Sequence, residues 1–200
     1  MNRRRCVVPL LALAAVFAAP AASARSQSLQ TAGSSVSIPD VELVDQHGRK
    51  LHFYSDLVKG KVVAINTVFT TCTTICPLMG AKFSRLSRML GDEGHGKVNL
   101  ISISVDPETD TPERLDAWSR EFGEPGADWT LVTGAKNDVD TLLKALQTYT
   151  ADKQEHLPVV LIGDGTGGWA RASALLPPSQ LADLLHARLQ SASGRSAAGH

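Results

Sequence analysis

The stretch that most constrains this chain is Ile65-Asn66-Thr67-Val68-Phe69-Thr70-Thr71-Cys72-Thr73-Thr74-Ile75-Cys76-Pro77, where an apolar run breaks into a threonine-rich turn carrying two thiols. The β-branched segment Val62 to Phe69 predicts a buried strand, so both cysteines fall just past a strand's C-terminal end. Open α/β sheets gather ligands and chemistry at that edge. Cys72 and Cys76 are four apart, and if Cys76 lies in the first turn of the next helix both sulfurs can face one side. Pro77 suits an early helical position, because its ring presets φ and its missing N–H would have no partner there. The free N–H groups of such a helix start favour thiolate over thiol.

The chain begins with a segment that is not expected to belong to the fold. Arg3, Arg4 and Arg5 precede the apolar run Val7 to Ala19, and Ala22-Ser23-Ala24 reads as a cleavage site, so residues 1–24 are read as an export signal, cleaved or kept as an anchor. The run is shorter than the roughly 20 residues that span a bilayer, which favours cleavage. Cys6 precedes the run and leaves with the signal, so two of the three cysteines stay in the mature protein. Of the 20 basic residues 17 remain once Arg3, Arg4 and Arg5 are gone, against 20 acids, a formal charge of about −3. No basic stripe offers a surface for nucleic acid. Export places the pair in the periplasm or on the periplasmic face of the inner membrane, where a disulfide can form. One bridge around so small a loop constrains an unfolded chain weakly, and a chain of this length can bury a core without staples.

Residues 25–37, rich in Ser, Gln, Thr and Ala, read as a flexible leader, residues 38–190 as one domain, and residues 191–200 as a frayed tail. Within the domain, Val41 to Val44 and Lys50 to Phe53 flank an Asp45-to-Gly48 turn and predict a hairpin. A helix is expected over 78–90, with Met79, Phe83, Leu86, Met89 and Leu90 at helical spacing, and Gly91 to Gly96 ends it. Val98 to Val105 predicts a second buried strand. Thr111 should then cap a helix opened by Pro112 and running to about Phe122. A strand near 129–132, a helix over 136–147, a strand over 159–162, a Gly163-to-Gly168 turn before Trp169, and a last helix capped by Ser179 complete the pattern. Strands alternating with helices call for a mainly parallel central sheet with helices on both faces and an N-terminal hairpin. A cysteine-bearing strand–turn–helix near its start describes a thioredoxin-like fold.

Two thiolates four apart, joined by a distant third donor, suit a soft cation such as Cu(I), which accepts thiolate sulfur and imidazole nitrogen. A closed structural zinc site wants four protein ligands, and two cysteines do not supply them. Of His47, His52, His95, His156, His186 and His200, His156 is best placed, because it sits just before the predicted strand over 159–162. Met79 and Met89 could offer thioether sulfur, but their spacing reads as core. Asp106 and Asp110 lie in the turn after the second strand, where helix capping and support of the thiol site are both open.

Three segments together resemble the Sco (SenC/PrrC) family of exported copper proteins. They are Phe69-Thr70-x-Cys72-x-x-x-Cys76-Pro77, Ser104-Val105-Asp106-Pro107-x-x-Asp110-Thr111-Pro112 with Leu115, and His156 before an apolar strand and a Gly-rich turn. The resemblance runs from about Ile38 to Gln190. It implies a thioredoxin-like fold and a copper ion, Cu(I) or Cu(II), bound by Cys72, Cys76 and His156. It also implies a role in maturing the binuclear copper centre of cytochrome c oxidase, with oxidase subunit II or another copper or thiol protein as partner. The N-terminal segment would bring it to the inner membrane. The chain departs from the family at Gln154-Glu155-His156-Leu157-Pro158, where copper-binding members commonly carry Asp before the histidine and no proline after it. Pro158 resembles the proline, often cis, that precedes a strand and faces the cysteines in thioredoxins.

Three functions are consistent with these residues. One is a metallochaperone. The second is a periplasmic thiol-disulfide oxidoreductase in which Cys72 and Cys76 are the redox thiols. The third is an exported domain in which the pair is a structural bridge.

Overall fold

The structure is a computed structural model that describes residues 30–32, 37–123, 128–166 and 168–197. The signal segment, most of the leader and residues 198–200 lie outside the described residues. In chain order the elements are β1 (Gln30–Ala32), β2 (Glu42–Asp45), β3 (Lys50–His52), β4 (Val62–Val68), α1 (Ile75–Gly94), β5 (Val98–Ser104) and α2 (Pro112–Arg120). They continue with β6 (Trp129–Thr133), α3 (Lys136–Ala145), β7 (Val159–Gly163), β8 (Trp169–Ser173) and α4 (Pro178–Ala197). The strands form one eight-stranded sheet in the order β1-β8-β7-β4-β5-β6-β2-β3.

Strand β4 shows why the sheet lies at the centre. All seven of its residues are buried, and successive side chains point to opposite faces. Val62, Ala64 and Val68 join the core formed with Phe83 and Leu86 of α1 and Leu181 and Leu185 of α4. Val63 and Ile65 join the opposite core, with Val139 and Leu142 of α3 and with Phe53 and Val58. A strand covered on both faces needs the near-continuous apolar run that the sequence displays.

The thioredoxin-like layering follows the expected plan, while the sheet itself is mixed. Parallel pairing is confined to β4 with β5 and β5 with β6. The other five pairings are antiparallel. The reason lies in the connections: helices α1 and α2 carry the chain back across the sheet between β4, β5 and β6, whereas β7 and β8 are joined by a short turn that can only reverse it.

Five local expectations change. Gln30–Ala32, within the stretch read as leader, pairs with β8 as an edge strand. Helix α4 starts at Pro178 and runs to Ala197, so Ser179 lies inside the helix instead of capping it, and the expected tail is helical to that residue. Helix α1 begins at Ile75, three residues early, and has a non-helical Gly91 (φ 45°). Met89, read as core, is 43% exposed, because the buried face of α1 follows Met79, Phe83, Leu86 and Leu90 and leaves position 89 to one side. Phe53, read as the end of a hairpin strand, instead opens a π-helical turn, Phe53–Val58.

Candidate metal centre

The sheet register brings three distant segments to one edge. Strands β4 and β5 run parallel with Val68 opposite Ser104, so the cysteine turn and the Asp106–Asp110 turn leave the sheet side by side. Strand β7 runs antiparallel to β4, with Leu161 opposite Ile65, so the residues entering β7 arrive where β4 ends. His156 is among them. Topology alone thus carries an imidazole across 80 positions to the thiols.

Backbone and side-chain bonds shape the cysteine turn. The Cys72 N–H donates to the Phe69 carbonyl at 3.2 Å, closing the turn. Asp110, fully buried, accepts from the Thr70 N–H at 3.2 Å and from the Thr70 hydroxyl at 2.6 Å. The Ser104 hydroxyl donates to the same carboxyl at 2.6 Å, and in turn accepts from the Asp106 N–H at 3.0 Å. Asp110 therefore ties the end of β5 to the start of the thiol turn. Its neighbour Thr111 caps α2 by accepting from the Arg114 N–H at 3.4 Å. Both roles left open for this segment are present, on adjacent residues.

Cys76 lies in the first turn of α1, as the four-residue spacing requires. Thr74 precedes the helix without a side-chain capping bond, and the Cys76 N–H donates to the Cys72 sulfur at 3.4 Å. That sulfur stands where a capping oxygen would. The Thr74 hydroxyl lies 3.5 Å from it on the other side. Cys72 and Cys76 are buried and free, with no bridge between them.

The two thiols are electrostatically unequal. Burial pushes Cys72 up, but the Cys76 thiol, the Thr74 hydroxyl and the N–H groups of both residues donate to it and hold it below the ordinary thiol value. Burial pushes Cys76 up to about 12, helped by the hydrogen bond and negative charge of Cys72 and the charge of Asp110 and opposed by the Phe69 backbone. Cys72 is the more acidic of the two thiols, and Cys76 holds its proton more tightly.

His156 is buried, with Nε2 3.7 Å from the Cys76 sulfur. Its Nδ1 lies 2.9 Å from the Lys153 carbonyl, which can only accept, so Nδ1 carries the proton and the Nε2 lone pair faces the sulfur. The ring also meets Phe69 edge to face, with centroids 5.5 Å apart. The residues before it form a short 3-10 turn, Lys153–Glu155, closed by Asp152 accepting from the Gln154 N–H at 2.9 Å. The Leu157–Pro158 peptide is trans, unlike the thioredoxin proline that Pro158 resembles.

The other histidines go elsewhere. His47 lies 3.8 Å from Asp116, His52 against the Asp40 carbonyl at 3.4 Å, and His95 on Asp128 at 3.0 Å. His186 sits on α4, and His200 lies outside the described residues. Among the described residues no group of three or more His, Cys, Asp or Glu side chains is placed to hold a metal ion. Cys76 and His156 touch, while Cys72 faces the helix start. Cys72, Cys76 and His156 are each buried, and thiolate sulfur and imidazole nitrogen are donor types that a soft ion accepts.

Lys153 carried no signal in the sequence, yet it joins the site at two points. Its carbonyl holds His156, and its ammonium reaches Asp106 Oδ2 at 2.5 Å. A lysine in a polar loop has no periodicity or motif to mark it.

Known proteins resemble this chain in sequence and in fold. A family model described as SCO1/SenC matches residues 30–164. The SCO1 protein homolog of Bacillus subtilis (strain 168) is 36% identical over 90 residues, 45% of each chain. The chain spans about half the length of the curated relatives it matches. Among solved structures, a SCO1/SenC family lipoprotein from Bacillus anthracis str. Ames matches with a TM-score of 0.67 and 26% identity, covering 80% of this chain and 97% of that one. Bradyrhizobium japonicum ScoI, solved with copper bound, matches with a TM-score of 0.63 and 25% identity over 76% of this chain and 99% of that one.

Proposed function

Because this chain belongs to the SCO1/SenC family, we propose that it binds one copper ion through Cys72, Cys76 and His156 and helps deliver it to the binuclear copper centre of cytochrome c oxidase. The observation that carries this reading is the 3.7 Å approach of His156 Nε2 to the Cys76 sulfur, with Nδ1 occupied by the Lys153 carbonyl. A metal-binding imidazole needs one nitrogen free and the other held. The copper-bound ScoI relative supports the choice of ion. Loading requires both thiols to give up their protons, Cys76 against a strong preference to keep its own, so uptake releases protons and a rise in acidity favours release. The ion is cargo. A site of three protein donors leaves room for an acceptor's ligands, which transfer requires.

The lipoprotein relative supports export, with the periplasmic face of the inner membrane as the working place and the N-terminal segment as the means of association. Among the described residues no helix is long and apolar enough to cross a membrane.

The unequal thiols favour a second activity of the same pair. Cys72 as thiolate attacks a partner disulfide, forming a mixed disulfide and releasing one partner thiolate. Cys76, once deprotonated, then attacks the Cys72 sulfur, closing the Cys72–Cys76 disulfide and freeing the second partner thiol. Subunit II of the oxidase, whose copper-site thiols must be reduced before loading, is the substrate this reading names.

Copper titration of the reduced protein tests the first reading. The expected result is about one ion per chain, abolished in Cys72→Ala or Cys76→Ala and weakened roughly tenfold or more in His156→Ala. Unchanged affinity in all three variants contradicts it. Thiol exchange should survive His156→Ala, which separates the two activities.

A further inference from the structure

We infer that Lys153 is a positioning residue for the metal centre, pinning the His156 turn to the end of β5 through Asp106. The inference rests on the copper reading above and concerns how the third ligand is held. Lys153 links to the histidine along two routes. Its carbonyl accepts the His156 Nδ1–H at 2.9 Å, which sets the tautomer. Its ammonium lies 5.4 Å above the centre of the Phe69 ring, and that ring meets the imidazole edge-on. The same ammonium pairs with Asp106 Oδ2 at 2.5 Å, with the Lys153 side chain 36% and the Asp106 side chain 12% exposed. Asp106 is itself fixed by its N–H donating to Ser104, whose hydroxyl donates to Asp110. A continuous run of bonds thus leads from the thiol turn, through Thr70, Asp110, Ser104, Asp106 and Lys153, to the imidazole.

The arrangement answers a mechanical need. The 3-10 turn Lys153–Glu155 is three residues long, has no buried side chain of its own, and is followed by the exposed Leu157 and Pro158. Nothing apolar anchors it to the domain. Without the ion pair, the nearest ties to the sheet edge are the His156 ring itself and the Pro158 carbonyl, which accepts from the Ala174 N–H at 2.9 Å, and a ring that must help anchor its own loop is poorly held at a fixed angle. An ammonium paired with a mostly buried carboxylate and covering an aromatic face is held far better than a surface pair, because solvent competes less for either charge.

The test compares Lys153→Met, which keeps length and apolar stem but loses the charge, with Lys153→Arg, which restores it, and with Asp106→Asn. Two readouts are used: ring-nitrogen NMR shifts of His156 in the reduced, metal-free protein, and Cu(II) affinity with its sulfur-to-copper absorption band. Lys153→Met and Asp106→Asn should each turn the single Nδ1–H tautomer into an exchanging mixture, shift the band and weaken Cu(II) roughly tenfold, and Lys153→Arg should recover wild-type behaviour. The double variant Lys153→Met/Asp106→Asn should be no worse than either single one, since both break the same bond. Wild-type tautomer, band and affinity in Lys153→Met overturn the inference. If wild-type affinity is itself indifferent to His156→Ala, the copper reading fails first and takes this one with it. If affinity depends on His156 but not on Lys153, the pinning alone is wrong. Should Lys153→Met fail to fold, Asp106→Asn carries the same comparison from the other end of the pair.

Discussion

At the scale of single residues, the division between Cys72 and Cys76 is the property with the most consequences. Both are buried, yet the donors around them differ: the Cys76 N–H and thiol and the Thr74 hydroxyl and N–H point at the Cys72 sulfur, while the sulfur of Cys76 has the Phe69 backbone beside it. The expected outcome is ordered reactivity. In the reduced, metal-free protein Cys72 should be alkylated first, at pH values below the ordinary thiol range, because its folded value is lowered and thiolate is present there. Cys76 should resist until strongly alkaline solution, near its value of about 12. In Cys72→Ala the charge and hydrogen bond from Cys72 are gone, so Cys76 should titrate lower, while burial keeps it above a free thiol. Mass spectrometry of iodoacetamide-treated protein across a pH series checks this. Equal rates at the two sulfurs would contradict the electrostatic account.

At the scale of elements, the site depends on how β5 is tied to the turn after β4. The two strands pair in parallel only as far as Ser104 and Val68, with one further bond from the Val105 N–H to the Val68 carbonyl at 2.9 Å. Beyond that the connection is made by Asp110. Removing its carboxyl leaves the part-buried Thr70 N–H and hydroxyl and the buried Ser104 hydroxyl without their acceptor. Asp110→Ala should therefore cost about 2–4 kcal/mol in urea unfolding, more than a surface carboxylate in the same fold such as Asp140. It should also loosen the cysteine turn, seen as faster amide exchange at Thr70 and Cys72. A loss below about 0.5 kcal/mol would mean that the turn holds its shape without this clamp.

At the scale of the whole molecule, the sequence and the fold can be compared segment by segment. The strand carrying Val62 to Val68, the helix opened by Cys76, the Thr111 cap and the strand after His156 were legible, because each rests on local patterns of periodicity, capping and burial. The meeting of His156 with the thiols was legible only through the order of the strands and the family resemblance, since no local rule spans 80 positions. Sheet polarity was not legible in full. Alternating helices and strands suggest parallel pairing, and no local pattern reveals that β7 runs antiparallel to β4, the reversal that brings His156 in from the correct side. Asp106 was marked by its place after the second strand, but its partner Lys153 remained hidden, because an ion pair between two loops leaves no trace in the lysine's own segment. Ser179 misled for a related reason: a serine after two prolines has the chemistry of a cap, but Pro178 already opens α4. The proposed function requires two sulfurs and one imidazole nitrogen to take a single copper ion. Copper X-ray absorption on the loaded, reduced protein measures this most directly. It should find two sulfur scatterers and one imidazole, with the imidazole contribution absent in His156→Ala; a spectrum with no nitrogen ligand, or one unchanged by that substitution, would contradict the account.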